Sequence, residues 1–485
     1  MTVATAHPAR EAEELKAGLS LFDSAAIVAG GMIGSGIFIV SADIARQVGS
    51  PAGLLAVWIV SGLMTIAGAL AYGELAAMMP EAGGQYVYLR ESYGSLCAFL
   101  YGWTLLLVIQ TGTIAAVAVA FARFLGVMWP ALGSDLWFGA GGAGLSGERL
   151  GAIAVIACLT AANLRGLDMG RLVQNLFTSA KILSLVMIVA VGCVLYPNSR
   201  AAGINFGSAH AFFGAGGWTL GAAAAFGAAM VGGLFSADAW ATVTFTAAEV
   251  KNPRRDLPLA LAIGAGVVIL LYVLSNVAYM CELPVVGDAA ASGVFARGIA
   301  YAGSDRVAAA AMQIVWGGAG ATITAVLVMV STFGCANGLI LTGARVTYAM
   351  AQDRVFFAAA RRLNRARVPA FALVIQGIWS AVLALSGTYG DLLDYVVFAQ
   401  LLFYVLTVGA VFRLRRSRPD VARPYRAWGY PWVPAAYIAT ALVMMIDLLI
   451  MKPRNAWPGL LIVAAGVPVY HFGPRLRARA RKPEQ

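Results

Sequence analysis

Charge is scarce in this chain. Only 12% of its 485 residues are Asp, Glu, Lys or Arg, where a soluble domain carries roughly 25%. With 60% of the residues hydrophobic, that shortage excludes a water-soluble globule. Cysteine is sparse as well: Cys97, Cys158, Cys193, Cys281 and Cys335 show no paired spacing, which argues against a disulfide framework or a zinc site. The three histidines, His7, His210 and His471, fall in a tail, a loop and a span end, so none is placed as a buried proton relay. A Walker loop, an HExxH helix and a nucleophile elbow are all missing. Nothing here reads as an enzyme, and no cofactor or metal is implied.

What the chain has instead is long apolar runs, with a mean hydropathy of +0.78. A helix crossing the hydrocarbon needs about 20 apolar residues. Twelve such spans are predicted, at 22–46, 52–79, 95–128, 149–164, 171–196, 217–248, 257–281, 306–336, 370–387, 391–412, 430–450 and 456–472. The fold class expected is an all-α membrane protein with one membrane domain, 21–472, between tails 1–20 and 473–485. The first twenty residues are polar and carry no cleavage site, so the first span is expected to stay as an anchor. Arginines follow span eight (Arg345, Arg354, Arg361, Arg362, Arg365, Arg367), span ten (Arg413, Arg415, Arg416, Arg418, Arg423, Arg426) and span twelve (Arg475, Arg477, Arg479, Arg481). This asymmetry places both termini in the cytoplasm, in the plasma membrane. The net charge of +11 is scattered over these loops and implies a bilayer rather than nucleic acid.

Two spans are interrupted. Gly30-Gly31-Met32-Ile33-Gly34-Ser35-Gly36-Ile37-Phe38 lies in mid-span one, where each glycine costs about 1 kcal/mol of helix stability relative to alanine. Span six holds Met230-Val231-Gly232-Gly233-Leu234-Phe235-Ser236-Ala237-Asp238-Ala239-Trp240. Lipid offers no partner to released backbone groups, so a break at that depth must line a cavity or grip a ligand. Breaks in spans one and six fit an inverted five-plus-five repeat, 21–196 and 217–412, with 430–472 outside it. An Arg- and Ala-rich stretch, 343–367, reads as an inner amphipathic helix or loop, and 286–302 as an outer re-entrant or surface helix.

At Gly34-Ser35-Gly36 the second half of span one begins, and its free N–H groups suit a carboxylate, with the Ser35 hydroxyl beside them. At Phe235-Ser236-Ala237 a half-helix ends, and its free carbonyls suit an ammonium group. The simplest ligand meeting both demands is a free α-amino acid. Close helix packing is the plainer use of the glycines. Asp238 is expensive in mid-membrane, about 2.5–3.5 kcal/mol. It is read as a substrate or proton ligand, or as the cap of the next half-helix. Lys181 is taken as the one basic residue deep in an apolar run, facing the bundle interior. Phe235 and Trp240 flank the break as candidate pocket walls. Glu74 and Glu249 are read as members of an inner ion-pair network with Lys251, Arg254 and Arg255, and Asp447 as interfacial. Ser20-Leu21-Phe22-Asp23 spells a capping box.

These residues resemble the amino acid–polyamine–organocation superfamily, in its L-type amino acid transporter branch. Gly30 to Phe38 is similar to that family's G-x-x-I-G-S-G-I-F signature. Pro80-Glu81-Ala82-Gly83-Gly84-Gln85-Tyr86-Val87-Tyr88-Leu89 looks like its P-x-x-G-G-x-Y-x-Y-L stretch, and Phe235 to Trp240 with Glu249 to Arg255 resembles its sixth-helix motif. The resemblance implies a LeuT-type fold and sodium-independent transport of small or neutral amino acids, by exchange or proton-coupled uptake. It further implies that Ile33, Gly34, Ser35 and Gly36 take the carboxylate and part of the amine. Phe235, Ser236 and Asp238 would complete the amine site and gate, and Lys181 would stand where related transporters hold sodium. The family commonly has an aromatic at Ala237 and a glycine at Ala239. Residues 129–148 lack the cysteine that links animal members to a heavy chain, so no covalent partner is expected. A carrier of polyamines or cationic amino acids, and a non-transporting amino acid sensor, are the alternatives.

Overall fold

The computed structural model describes residues 18–81, 83–133, 135–140, 143–165, 170–214, 219–366, 368–386 and 389–479. Within them eight helices are long and apolar enough to cross a membrane, and a ninth crossing is the bent pair Gly221–Ser236 and Trp240–Ala247. Leu21–Met32, Ala370–Ser386 and Ala456–Phe472 are shorter apolar helices.

Span one opens on the predicted capping box: the Ser20 hydroxyl accepts from the Asp23 N–H, and the Asp23 carboxylate accepts from the Ser20 N–H at 2.9 Å. The helix Leu21–Met32 then stops, and a new one starts at Gly36–Ile39 and continues as Ser41–Val48. Span six stops at Ser236 and resumes as Trp240–Glu249 after a bend of 41°. Span seven, Pro253–Glu282, is the spine on which both lean, packing against span two (Pro51–Met78) and the first half of span one. Glycines permit the closest contacts. A Cβ at Gly62 would overlap Ile269, and one at Gly264 would press on Val28 at 2.6 Å. Span three (Ser95–Met128) packs along span eight and carries a π-helical turn, Leu105–Ile109.

Within 129–148, Leu136–Ala140 and Ala143–Ser146 pair as antiparallel strands. Three expectations need correction. Span eight does not end near 336 but runs as Val307–Gln352, kinked at Trp316 and Gly317. Gly317 takes φ +61, which glycine alone adopts cheaply; beyond it no proline interrupts the chain before Gln352. The segment 286–302 is largely irregular, with a single turn at Val294–Arg297. Arg123, in span three, is a second basic residue set within an apolar run, its side chain 13% exposed.

Candidate functional site

The two interruptions face each other. A Cβ at Gly36 would overlap the Ser236 side chain, one at Gly232 would overlap Val40, and one at Gly31 would sit 3.1 Å from the Ala239 carbonyl. These glycines therefore serve close packing and the breaks at once.

Where the first half of span one ends, each carbonyl meets a side chain from another span. Lys181 Nζ donates to the Gly30 carbonyl at 2.8 Å. Cys335 Sγ lies 3.6 Å from that of Gly31, and Ser331 Oγ donates to that of Ile33 at 3.3 Å. The Tyr272 hydroxyl stands 2.8 Å from the Met32 carbonyl and 3.0 Å from that of Ser236. A phenol has one hydrogen, so it serves one broken helix at a time. Lys181 is 2% exposed and does not snorkel; its ammonium sits on the negative end of a half-helix, where a cation is favoured.

At the start of the second half, the Phe38 N–H turns back to the Ser35 carbonyl at 3.2 Å. The first N–H groups of any helix lack intrahelical acceptors, and this turn supplies one to Phe38 only. The Ser35 hydroxyl pairs with that of Tyr389 at 2.9 Å. Phe235 meets the same tyrosine edge-on, with ring centroids 6.2 Å apart. In span six the Ala237 N–H closes on the Gly233 carbonyl and that of Asp238 on Phe235, while Ser236 Oγ bonds back to Gly232 at 2.7 Å.

Asp238 and Trp240 turn away from this crossing. The Asp238 carboxylate accepts from the Tyr404 hydroxyl at 2.7 Å. It does not cap the next half-helix, whose cap position is Ala239, at φ +65 and without a side-chain bond. Trp240 is buried between Tyr72 and Tyr404, with centroids 4.7 and 5.2 Å away. Both residues line a cavity of about 20 Å³ with Thr65, Leu234, Gln400 and Tyr437, room for one water molecule.

Above the crossing, on the face away from the arginine-rich loops, charges close the structure. Arg46 pairs with Asp305 at 2.7 Å, and Arg123 with Asp305 at 3.7 Å and Glu148 at 3.3 Å. The Arg123 guanidinium also lies 5.4 Å over the Tyr389 ring. Asp305 is thus caught between two guanidiniums. The opposite face opens into a vestibule of about 440 Å³, walled by the helix Gln85–Tyr93, by Phe245 and Glu249, and by the end of span eight. Glu249 meets Arg345 there at 3.2 Å. Glu74 is clasped by Arg415 through both oxygens, at 2.9 and 2.6 Å, with Arg423 at 3.5 Å. The two acids are ion-paired as expected, but with arginines from spans eight and ten rather than from 251–255.

Sequence reasoning missed Tyr272, Ser331, Tyr389 and Tyr404. A hydroxyl in an apolar run carries no motif, and only the packing shows which backbone group it meets. Arg123 was legible as a charge within an apolar run.

A polytopic helical bundle with two broken helices crossing at its centre, closed on one face and open on the other, defines the class of membrane transporters. The chain belongs to the amino acid permease family, whose model matches residues 19–469. It is similar to the serine/threonine exchanger SteT of Bacillus subtilis, with 29% identity covering 94% of this chain and 97% of that protein. It is also similar to the mouse b(0,+)-type amino acid transporter 1, at 27% over 94% of this chain and 87% of that one. The human large neutral amino acids transporter small subunit 2 matches at 29%, over 95% and 81%.

Proposed function

We propose that this protein is a sodium-independent carrier of small or neutral amino acids, a permease or exchanger working by alternating access. The observation that carries the reading is the contact of the two breaks at Gly36 and Ser236. There the positive end of one half-helix and the negative end of another lie within reach of one small zwitterion. In this reading Gly34, Ser35 and Gly36 receive the carboxylate through their N–H groups. The carbonyls of Ile33, Phe235 and Ser236 receive the ammonium, and Phe235 with Tyr389 closes over the substrate. Lys181 supplies a fixed cation on the Gly30 carbonyl, so no sodium is needed there. Asp238 and Trp240 form the wall behind the site, not its floor.

Taking the three shorter apolar helices as crossings gives twelve spans, and breaks in the first and sixth fit a LeuT-type 5+5 repeat. Arginine placement supports a plasma membrane orientation with both termini inside. The exchanger name of the Bacillus relative supports exchange and a small side chain. No covalent heavy chain enters this reading.

Counterflow in proteoliposomes with labelled amino acids, with and without sodium, tests it. Gly36→Ala is expected to abolish counterflow, because the added methyl overlaps Ser236, while the protein still inserts. Lys181→Ala is expected to slow counterflow at least about tenfold, as loss of one charge-assisted bond to a helix end implies. Binding without counterflow in the wild type would point to a sensor, and sodium-dependent flux would overturn the cation substitution.

A further inference from the structure

The acid of span six has no use in the site just described. Its carboxylate is met by the Tyr404 hydroxyl from span ten at 2.7 Å. The other titratable groups bearing on it are Tyr101 of span three, Tyr437 of span eleven and Cys335 of span eight. Tyr72 of span two stacks edge-on against Tyr404, with centroids 5.7 Å apart. Among the described residues no lysine, arginine, histidine or second acid faces it. Three other buried acids are matched by a cation, Glu74 by Arg415, Glu148 by Arg123 and Asp394 by Lys452 at 2.8 Å, whereas Glu282 shares with Asp238 the lack of one among the described residues. An ionised carboxylate without a cation is costly at this depth and a neutral acid is not.

The cavity beside Asp238 supplies the rest. Its volume of about 20 Å³ suits a single water, and its lining includes Thr65 and Gln400. Gln400 Oε1 is buried and without a partner. Toward the vestibule, one turn along span ten from Tyr404, Thr407 Oγ1 accepts from Gln85 Nε2 at 3.1 Å. Gln85 opens the helix whose Tyr86 and Val87 wall the vestibule. Tyr404, Thr407 and Gln85 are thus polar groups on the side of the acid that leads to the vestibule.

We propose that Asp238 is a proton-binding site, exchanging its proton beside Tyr404, and that its loading couples proton movement to amino acid movement. The proposal rests on the transporter reading above. The step adds one H⁺ to a carboxylate oxygen and neutralises the charge; release to vestibule water restores it, and no other bond changes. Because Asp238 lies two residues beyond Ser236, loading it changes the charge at the very bend that forms the break.

Full-length protein in proteoliposomes with an internal pH dye provides the test. Wild type is expected to accumulate labelled amino acid when an inward proton gradient is imposed, and to acidify the lumen as it does so. Asp238→Asn is expected to keep counterflow at equal pH within about twofold while losing both gradient-driven accumulation and acidification. Tyr404→Phe is expected to keep coupling but to displace the pH of half-maximal uptake by about one unit, the effect of one hydrogen bond to a charged group. Wild-type counterflow that ignores the gradient, or coupling that survives in Asp238→Asn, overturns the proton site and leaves the carrier standing. Accumulation driven by sodium at equal pH and lost in Asp238→Asn overturns it in favour of a metal cation. Absence of any flux removes the carrier and this site together.

Discussion

At the scale of single residues, Ala239 is where local preference and fold disagree most. It holds φ +65, a region that costs a non-glycine residue about 1–2 kcal/mol. The resemblance places glycine there, and alanine in its stead stiffens the break. The structure adds that the stiffness is strain. Ala239→Gly is expected to raise stability by about 1 kcal/mol, because relief of the left-handed backbone outweighs the added freedom of the unfolded chain. Unchanged unfolding in denaturant would show that the position is not strained. The glycine cluster of span one, by contrast, was fully legible, since four glycines in mid-span permit little but a break. Lys181 was legible too, because a buried cation needs an acceptor; which carbonyl it would take was not, as that depends on how span five packs on span one. Asp238 was legible as costly; which neighbour its carboxylate meets was not, since a side chain beside a bend can turn to either face.

At the scale of elements, hydropathy located the long crossings well, and it failed where a helix outlasts its apolar run. Span eight continues to Gln352 because no proline lies between Gly318 and Gln352, although its predicted apolar run ends near 336. The hairpin at 136–146 was invisible to a method built on apolar runs. Ion pairs between elements were foreseen by charge but not by partner. Glu74 is 1% exposed and held by both nitrogens of one guanidinium, so removing its charge leaves Arg415 facing a neutral amide. Glu74→Gln is expected to cost about 3–5 kcal/mol, read as a clear fall in the unfolding temperature in detergent. The Arg415 guanidinium keeps its charge at any working pH, so the penalty should not vary between pH 6 and 9.

For the whole molecule, the informative contrast is between its two faces. One is shut by Asp305 bridging Arg46 and Arg123, and the other holds a wide vestibule. Each bridge is partly exposed and worth little alone, but they join the second half of span one to span three and the start of span eight. A substrate moves such an equilibrium only through its different affinity for the two states, and so does a change in the latch. Asp305→Asn is expected to shift the population toward opening on the latched face. The measurement is labelling of a Ser35→Cys probe by an impermeant maleimide from that face, which should quicken several-fold. Equal rates would mean the pairs do not hold the gate.

The backbone of Leu19 is laid beside that of Val250, with the N–H groups of Gly18 and Leu19 on the Glu249 carbonyl and that of Lys251 on Leu19. The foot of the first helix is thereby stitched to the foot of the sixth. Neither can swing without dragging the other, so a spin label placed at Gly18 would report the stroke of both limbs as a single lever.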